Sequence, residues 1–238
     1  MANFKTHLSV AAACSGILAT GFLEARIATP GEVWLYFAMG TLGGILPDID
    51  ANHSIPGRML FSFFALVMAF LVLFSRTGLY SIAELALLWM GTYLIVRHVI
   101  FQLFARFSMH RGVFHSFLAA AFFGCLTTSL SYQVFRLKPL AAWTTGLFVS
   151  TGYIVHLLLD ELYSVDLTGA RVKRSFGTAL KLMSHHIRPT SLLVGATLIA
   201  FYLTPSAETF VHTVFNFTTY ERIKEHMLPT GGWFMFSR

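Results

Sequence analysis

The stretch Gly43-Gly44-Ile45-Leu46-Pro47-Asp48-Ile49-Asp50 ends an apolar run in two carboxylates. A charge beside hydrocarbon costs roughly 2.5 kcal/mol or more on insertion scales. Two carboxylates one residue apart at such a boundary therefore ask for a compensating cation. Histidines stand at the ends of other apolar runs: His7, His110, His115 and His156. The pattern predicts that these groups meet at one membrane face and hold metal.

The whole composition agrees with a membrane setting. The chain has 238 residues, 55% hydrophobic and 12% charged, with mean hydropathy +0.66. Soluble domains carry about 25% charged residues, so the expected fold is an all-α, polytopic transmembrane helical bundle. Apolar runs at 8–23, 33–46, 59–74, 81–104, 115–135, 141–159 and 191–204 give about six to seven spans. Several fall short of the ~20 residues that cross a bilayer, and the second and seventh are the weakest. Residues 1–165 form the expected membrane-embedded metal-site core. Residues 166–238 supply a basic loop, a last span and a tail that mixes aromatic and charged residues as an interfacial helix does.

The net charge of +6 reads as basic loops that set orientation and attract anionic headgroups, with no nucleic-acid partner expected. Cys14 and Cys125 sit in apolar runs without CxxC spacing, as small buried hydrophobes. Lys5 followed by the apolar run 8–19 resembles a signal peptide. No clean A-x-A site closes that run, so the first helix is expected to be retained, with Thr6 as its cap.

Parity ties the motifs together. His7 precedes the first span; Asp48 and Asp50 follow the second. His110 and His115 lie between the fourth and fifth, and His156 and Asp160 end the sixth. Each pair of crossings returns the chain to its starting side, so all these groups fall on one face. The loops of that side carry nine basic residues (Lys5, Arg58, Arg106, Arg111, Arg171, Lys173, Arg174, Lys181 and Arg188) against Arg26, Arg76, Arg136 and Lys138 opposite. The positive-inside rule then puts the site on the cytoplasmic side of a multi-pass inner (plasma) membrane protein.

Three stretches bear the chemistry. His156 and Asp160 are four apart on an expected helix, which stacks them on one face. Their nitrogen and oxygen donors suit zinc, or manganese where oxygen dominates; a plain His–Asp capping pair is the alternative. His110-Arg111-Gly112-Val113-Phe114-His115-Ser116 sets two histidines around a glycine turn able to bring both rings to one point. The alternative is two ordinary interfacial histidines. Asp48 and Asp50 point the same way if the exit is extended, or belong to a polar turn leaving the membrane. Arg111 offers a planar fork for phosphate oxygens, and Ser54 and Ser116 are candidate substrate contacts. His98, beside Arg97 in the fourth run, is expected to support the site or lie in a polar cavity. His185, His186, His212 and His226 read as solvated loop and tail residues. The sequence contains no GxSxG, HExxH, P-loop or GxGxxG opening a helix.

The order Thr6-His7, Gly-Ile-Leu-Pro-Asp-Ile-Asp (44–50) with Ser54, His-Arg-Gly-x-x-His-Ser (110–116), then Gly152 and His156-x-x-x-Asp160 resembles the LexA-regulated, membrane-bound metal-dependent hydrolase family (YdjM-like). Phe114 stands where that family often has Thr. The resemblance covers roughly residues 1–165. It implies a multi-spanning inner-membrane hydrolase that needs metal. More distantly the chain looks similar to the zinc-dependent phospholipase C and P1 nuclease group, in which helix-borne His and Asp/Glu bind a zinc cluster and cleave phosphoesters. Carried over by motif, the metal ligands are His7, Asp48, Asp50, His110, His115, His156 and Asp160. Seven donors exceed the four of a structural zinc and suit two or three ions.

The expected activity is cleavage of a phosphoester in a lipid or lipid-linked substrate. Asp50 would act as catalytic base and Arg111 as the phosphate-holding catalytic residue. A divalent-cation transporter would use the same ligands but need a polar path across the bilayer. A non-catalytic membrane scaffold would use them only as helix caps. Membrane lipids are the expected surroundings, and the oligomeric state is open.

Overall fold

The computed structural model describes residues 3–50, 55–100, 102, 113–166, 171–172, 182 and 187–226. All seven apolar runs are helical. They form α1 (Phe4–Glu24), α2 (Pro30–Gly43), α3 (Ile55–Arg76), α4 (Ile82–Leu94), α5 (Phe117–Gln133), α6 (Pro139–Leu162) and α7 (Ile187–Tyr202). A 3-10 turn at Leu46–Asp50 separates α2 from α3, and α4 continues as a π-helical segment, Ile95–Ile100. After α7 come α8 (Glu208–Val214), a 3-10 turn at Phe217–Tyr220 and α9 (Glu221–His226). Strands β1 (Val165–Asp166) and β2 (Arg171–Val172) pair antiparallel in the polar stretch after α6. Among the described residues three helices are long and apolar enough to cross a membrane: Phe4–Glu24, Ile82–Val99 and Pro139–Leu162. Ile187–Tyr202 is a shorter apolar helix.

Local chemistry explains the helix starts. Thr29 and Glu32 form a capping box at α2, and Ser81 and Glu84 another at α4. Pro30 and Pro139 occupy first-turn positions, where a missing N–H costs nothing. One expectation needs correction at this level. Asn3, not Thr6, caps α1: its Oδ1 accepts from the Thr6 N–H at 2.8 Å and from the Thr6 hydroxyl at 2.9 Å. Pro56 and Pro189 lie within the first turns of α3 and α7, which tolerate proline.

The chain divides into two compact units: Met1–Ile45 with His115–Arg238, and Leu46–Phe114. In the first unit α6 is the centre, packed against α1, α2, α5 and α8. Much of it is buried, at Ala142, Phe148, Tyr153, His156 and Asp160 among others, while Leu158 and Leu162 are exposed. Thr144 and Thr145 turn their hydroxyls back on the helix, to the Leu140 and Ala141 carbonyls, and Ser150 gives its own to the Ala120 carbonyl of α5.

Small residues set the spacing of these helices. A Cβ at Gly152 would collide with the Gly40 carbonyl, one at Gly43 with the Val149 carbonyl, and one at Gly44 with the Ala11 side chain. Gly124 and Gly146 make the same close seam between α5 and α6. Lipid gives helices no hydrophobic reason to associate, so packing at backbone distance carries the contact. Cys14 and Cys125 are half-buried free thiols, consistent with packing roles.

In the second unit α3 packs on α4 and on its π-helical continuation. Phe70 lies against Phe74 and Trp89, and Trp89 stacks on Tyr93. His98 is exposed on the π segment, which corrects its expected place in a polar cavity: the helix turns that position outward.

The seam is testable. Gly152→Ala should lower stability by about 1–3 kcal/mol through overpacking, read by thermal or chemical unfolding in detergent. Gly91→Ala, where an added methyl meets nothing within 4 Å, should leave stability unchanged or slightly raised.

Candidate metal centre

One end of the first unit gathers the start of α1, the end of α2, the start of α5 and the end of α6. α1 and the bend before α5 bring one side chain each, and α6 brings two. His7 is on the first turns of α1, in a buried stripe with Ala11, Ser15, Ala19 and Phe22. His115 stands in the bend before α5, just ahead of Ser116, the cap of that helix. His156 and Asp160 share the inner face of the last turns of α6.

Asp160 is the focus. Three ring nitrogens lie within ion-pair distance of its carboxylate: His7 Nε2 3.2 Å from Oδ1, and His115 Nε2 and His156 Nε2 3.5 and 3.7 Å from Oδ2. The His7 and His156 rings stack, centroids 3.6 Å apart and 12° from parallel, and His115 meets His156 edge-on. Asp160 is 3% exposed, His7 1% and His156 0%. Burial removes the water that would stabilise the charge, and the C-terminal end of α6 adds the negative pole of its dipole. Such a carboxylate needs positive charge beside it.

One hydrogen bond orients a ring. His156 Nδ1 donates to the Gly44 carbonyl at 2.7 Å. A carbonyl cannot donate, so Nδ1 carries a proton and Nε2 is the nitrogen left to face Asp160, 3.7 Å from its Oδ2. With Nε2 unprotonated, as in a metal-ligating ring, two acceptors would face each other, and a cation between them would resolve the conflict. A backbone-held Nδ1–H is also how metal-ligating histidines are commonly oriented. On α1, His7 Nδ1 is buried without a hydrogen-bond partner among the described residues. Donors of a tetrahedral zinc at about 2.0–2.1 Å lie about 3.3 Å apart, close to the separations around Asp160. One ligand atom from each of His7, His156 and Asp160 lies within 4.8 Å of the others. The donor set therefore fits a divalent metal.

Four of the residues expected from sequence are thus together: His7, His115, His156 and Asp160. Asp48 is half-buried on the 3-10 turn that opens the second unit. Asp50 ends that turn, and its side chain lies outside the described residues, as do Ser54, His110 and Arg111. The turn corrects the extended exit assumed for Asp48 and Asp50: Pro47 and the following residues coil into 3-10 geometry. Ser116 Oγ accepts from the Ala119 N–H at 3.2 Å, as a helix cap. Sequence reasoning missed the Gly44 carbonyl as the group that orients His156. The signal was the pair Gly43-Gly44, which lets backbone approach backbone.

A helical membrane protein with a buried histidine–carboxylate cluster at one bundle end is the class these features define. Within that class, the chain belongs to the YdjM inner membrane protein family, whose model matches residues 1–224. No curated protein and no solved structure matches the chain.

A double-mutant cycle tests the cluster. His7→Ala and Asp160→Ala, measured by unfolding in detergent, should couple by about 0.5–3 kcal/mol. Simple additivity would mean that the two side chains do not act on each other.

Proposed function

We propose that the protein is a multi-pass, metal-dependent membrane hydrolase that cleaves a phosphoester of a lipid or lipid-linked substrate. The observation that carries the reading is the convergence of three imidazoles on one buried carboxylate. Family membership supports the membrane setting. Crossing by all seven apolar helices would give the parity set out above, and the loop charges would then turn the cluster to the cytoplasm.

His7, His115, His156 and Asp160 would hold the ion, zinc or manganese, and the sequence motifs add Asp48, Asp50 and His110 as donors for a second or third. A divalent cation bound there supplies a Lewis acid and lowers the pKa of water from about 15.7 towards 7. The chain's own groups do the rest. Gly44 keeps the His156 ring in one tautomer and one orientation. By motif, Asp50 would accept the proton of the attacking water, Arg111 would hold phosphate oxygens in its planar fork, and Ser54 and Ser116 would contact the substrate.

Elemental analysis of detergent-purified protein should find stoichiometric zinc or manganese. His156→Ala should reduce metal content and phosphoesterase activity to roughly a tenth or less while membrane insertion is unchanged. Full metal and full activity in that variant would refute the assignment. Metal flux into proteoliposomes without hydrolysis would instead mark a transporter.

A further inference from the structure

The second unit holds a charge that the hydrolase reading leaves unused. Arg97 lies inside the apolar helix Ile82–Val99 and on the π-helical segment Ile95–Ile100. An ionisable side chain within a span is expensive and marks function, and π-helical turns occur frequently at functional sites.

Its surroundings are specific. Trp89, Tyr93 and Arg97 follow one another at spacings of four on α4. Trp89 stacks on Tyr93 with centroids 5.7 Å apart, and the Arg97 guanidinium lies 5.9 Å from the Tyr93 ring centre. Arg97 Nη1 donates to Ser62 Oγ on α3 and to the Tyr93 hydroxyl at 3.2 Å. Both partners are neutral. Among the described residues no carboxylate pairs with Arg97, and its Nε and Nη2 meet no acceptor. Glu84, the acid of the same helix, is committed to the Ser81 cap at 2.7–2.8 Å. Among the described residues the guanidinium is therefore braced through one nitrogen, with the rest of its fork and its charge uncommitted.

Position and chemistry select the ligand. Arg97 stands roughly 20 Å along the helix axis from Ile82 at about 1.5 Å per residue, towards one edge of a hydrocarbon layer about 30 Å thick. Leu94, Ile95 and Val99 around it are 47, 55 and 59% exposed, a surface for acyl chains. A planar fork matches two oxygens of one phosphate. We propose that Arg97, braced by Ser62 and Tyr93, binds the phosphate of an anionic phospholipid headgroup.

The test needs neither metal nor activity, so it stands apart from the hydrolase reading. Full-length protein is reconstituted in phosphatidylcholine nanodiscs with and without phosphatidylglycerol, and bound phosphatidylglycerol is counted by native mass spectrometry. Affinity should fall about tenfold in Arg97→Gln and less in Arg97→Lys, which keeps the charge but not the fork. It should not change in Arg76→Gln, an exposed arginine on α3. Equal retention by wild type and Arg97→Gln overturns the proposal. If Arg97→Gln does not insert, Ser62→Ala and Tyr93→Phe loosen the brace without removing the charge. They should weaken retention, and no change in either counts against the site. Inorganic phosphate that displaces the lipid completely at constant ionic strength would assign the site to a soluble anion and sink the headgroup assignment.

Discussion

A carboxylate with almost no access to water, placed at the negative end of its own helix, is the constraint around which the first unit is arranged. Asp160 has both unfavourable conditions at once. Three histidines from three parts of the chain answer it. His156 comes from the same helix, His7 from the start of the chain and His115 from the bend before α5. The arrangement ties the chain's first turns to a helix more than 130 residues later.

That convergence rests on the helix seams. His156 reaches the Gly44 carbonyl only because α2 and α6 meet at Gly40, Gly43, Gly44 and Gly152 with no side chain between them. Ala11 packs into the same gap from α1, which sets His7 beside His156. The glycines thus determine the tautomer of a histidine they do not touch through any side chain.

The helices were legible in the sequence because apolar runs and their breakers are local signals. All seven runs form helices, with Pro30 and Pro139 at their starts. That His156 and Asp160 share one face was legible in their spacing of four. What escaped was geometric. Nothing in the composition of Asp48-Ile49-Asp50 distinguishes an extended exit from a 3-10 turn, and Asn3 and Thr6 are both capable caps, separated only by which one ends outside the helix. The role of Gly44 depends on a carbonyl, which every residue has, so only the double glycine hinted at it. Arg97 was visible as an isolated charge, but its brace depends on the pairing of α3 with α4, a contact between residues 35 positions apart.

The three imidazoles differ in their access to solvent. His7 and His156 are sealed, with side chains 1% and 0% exposed, while that of His115 is 14% exposed. Of the three rings around Asp160, the one in the bend before α5 is therefore the one that water reaches.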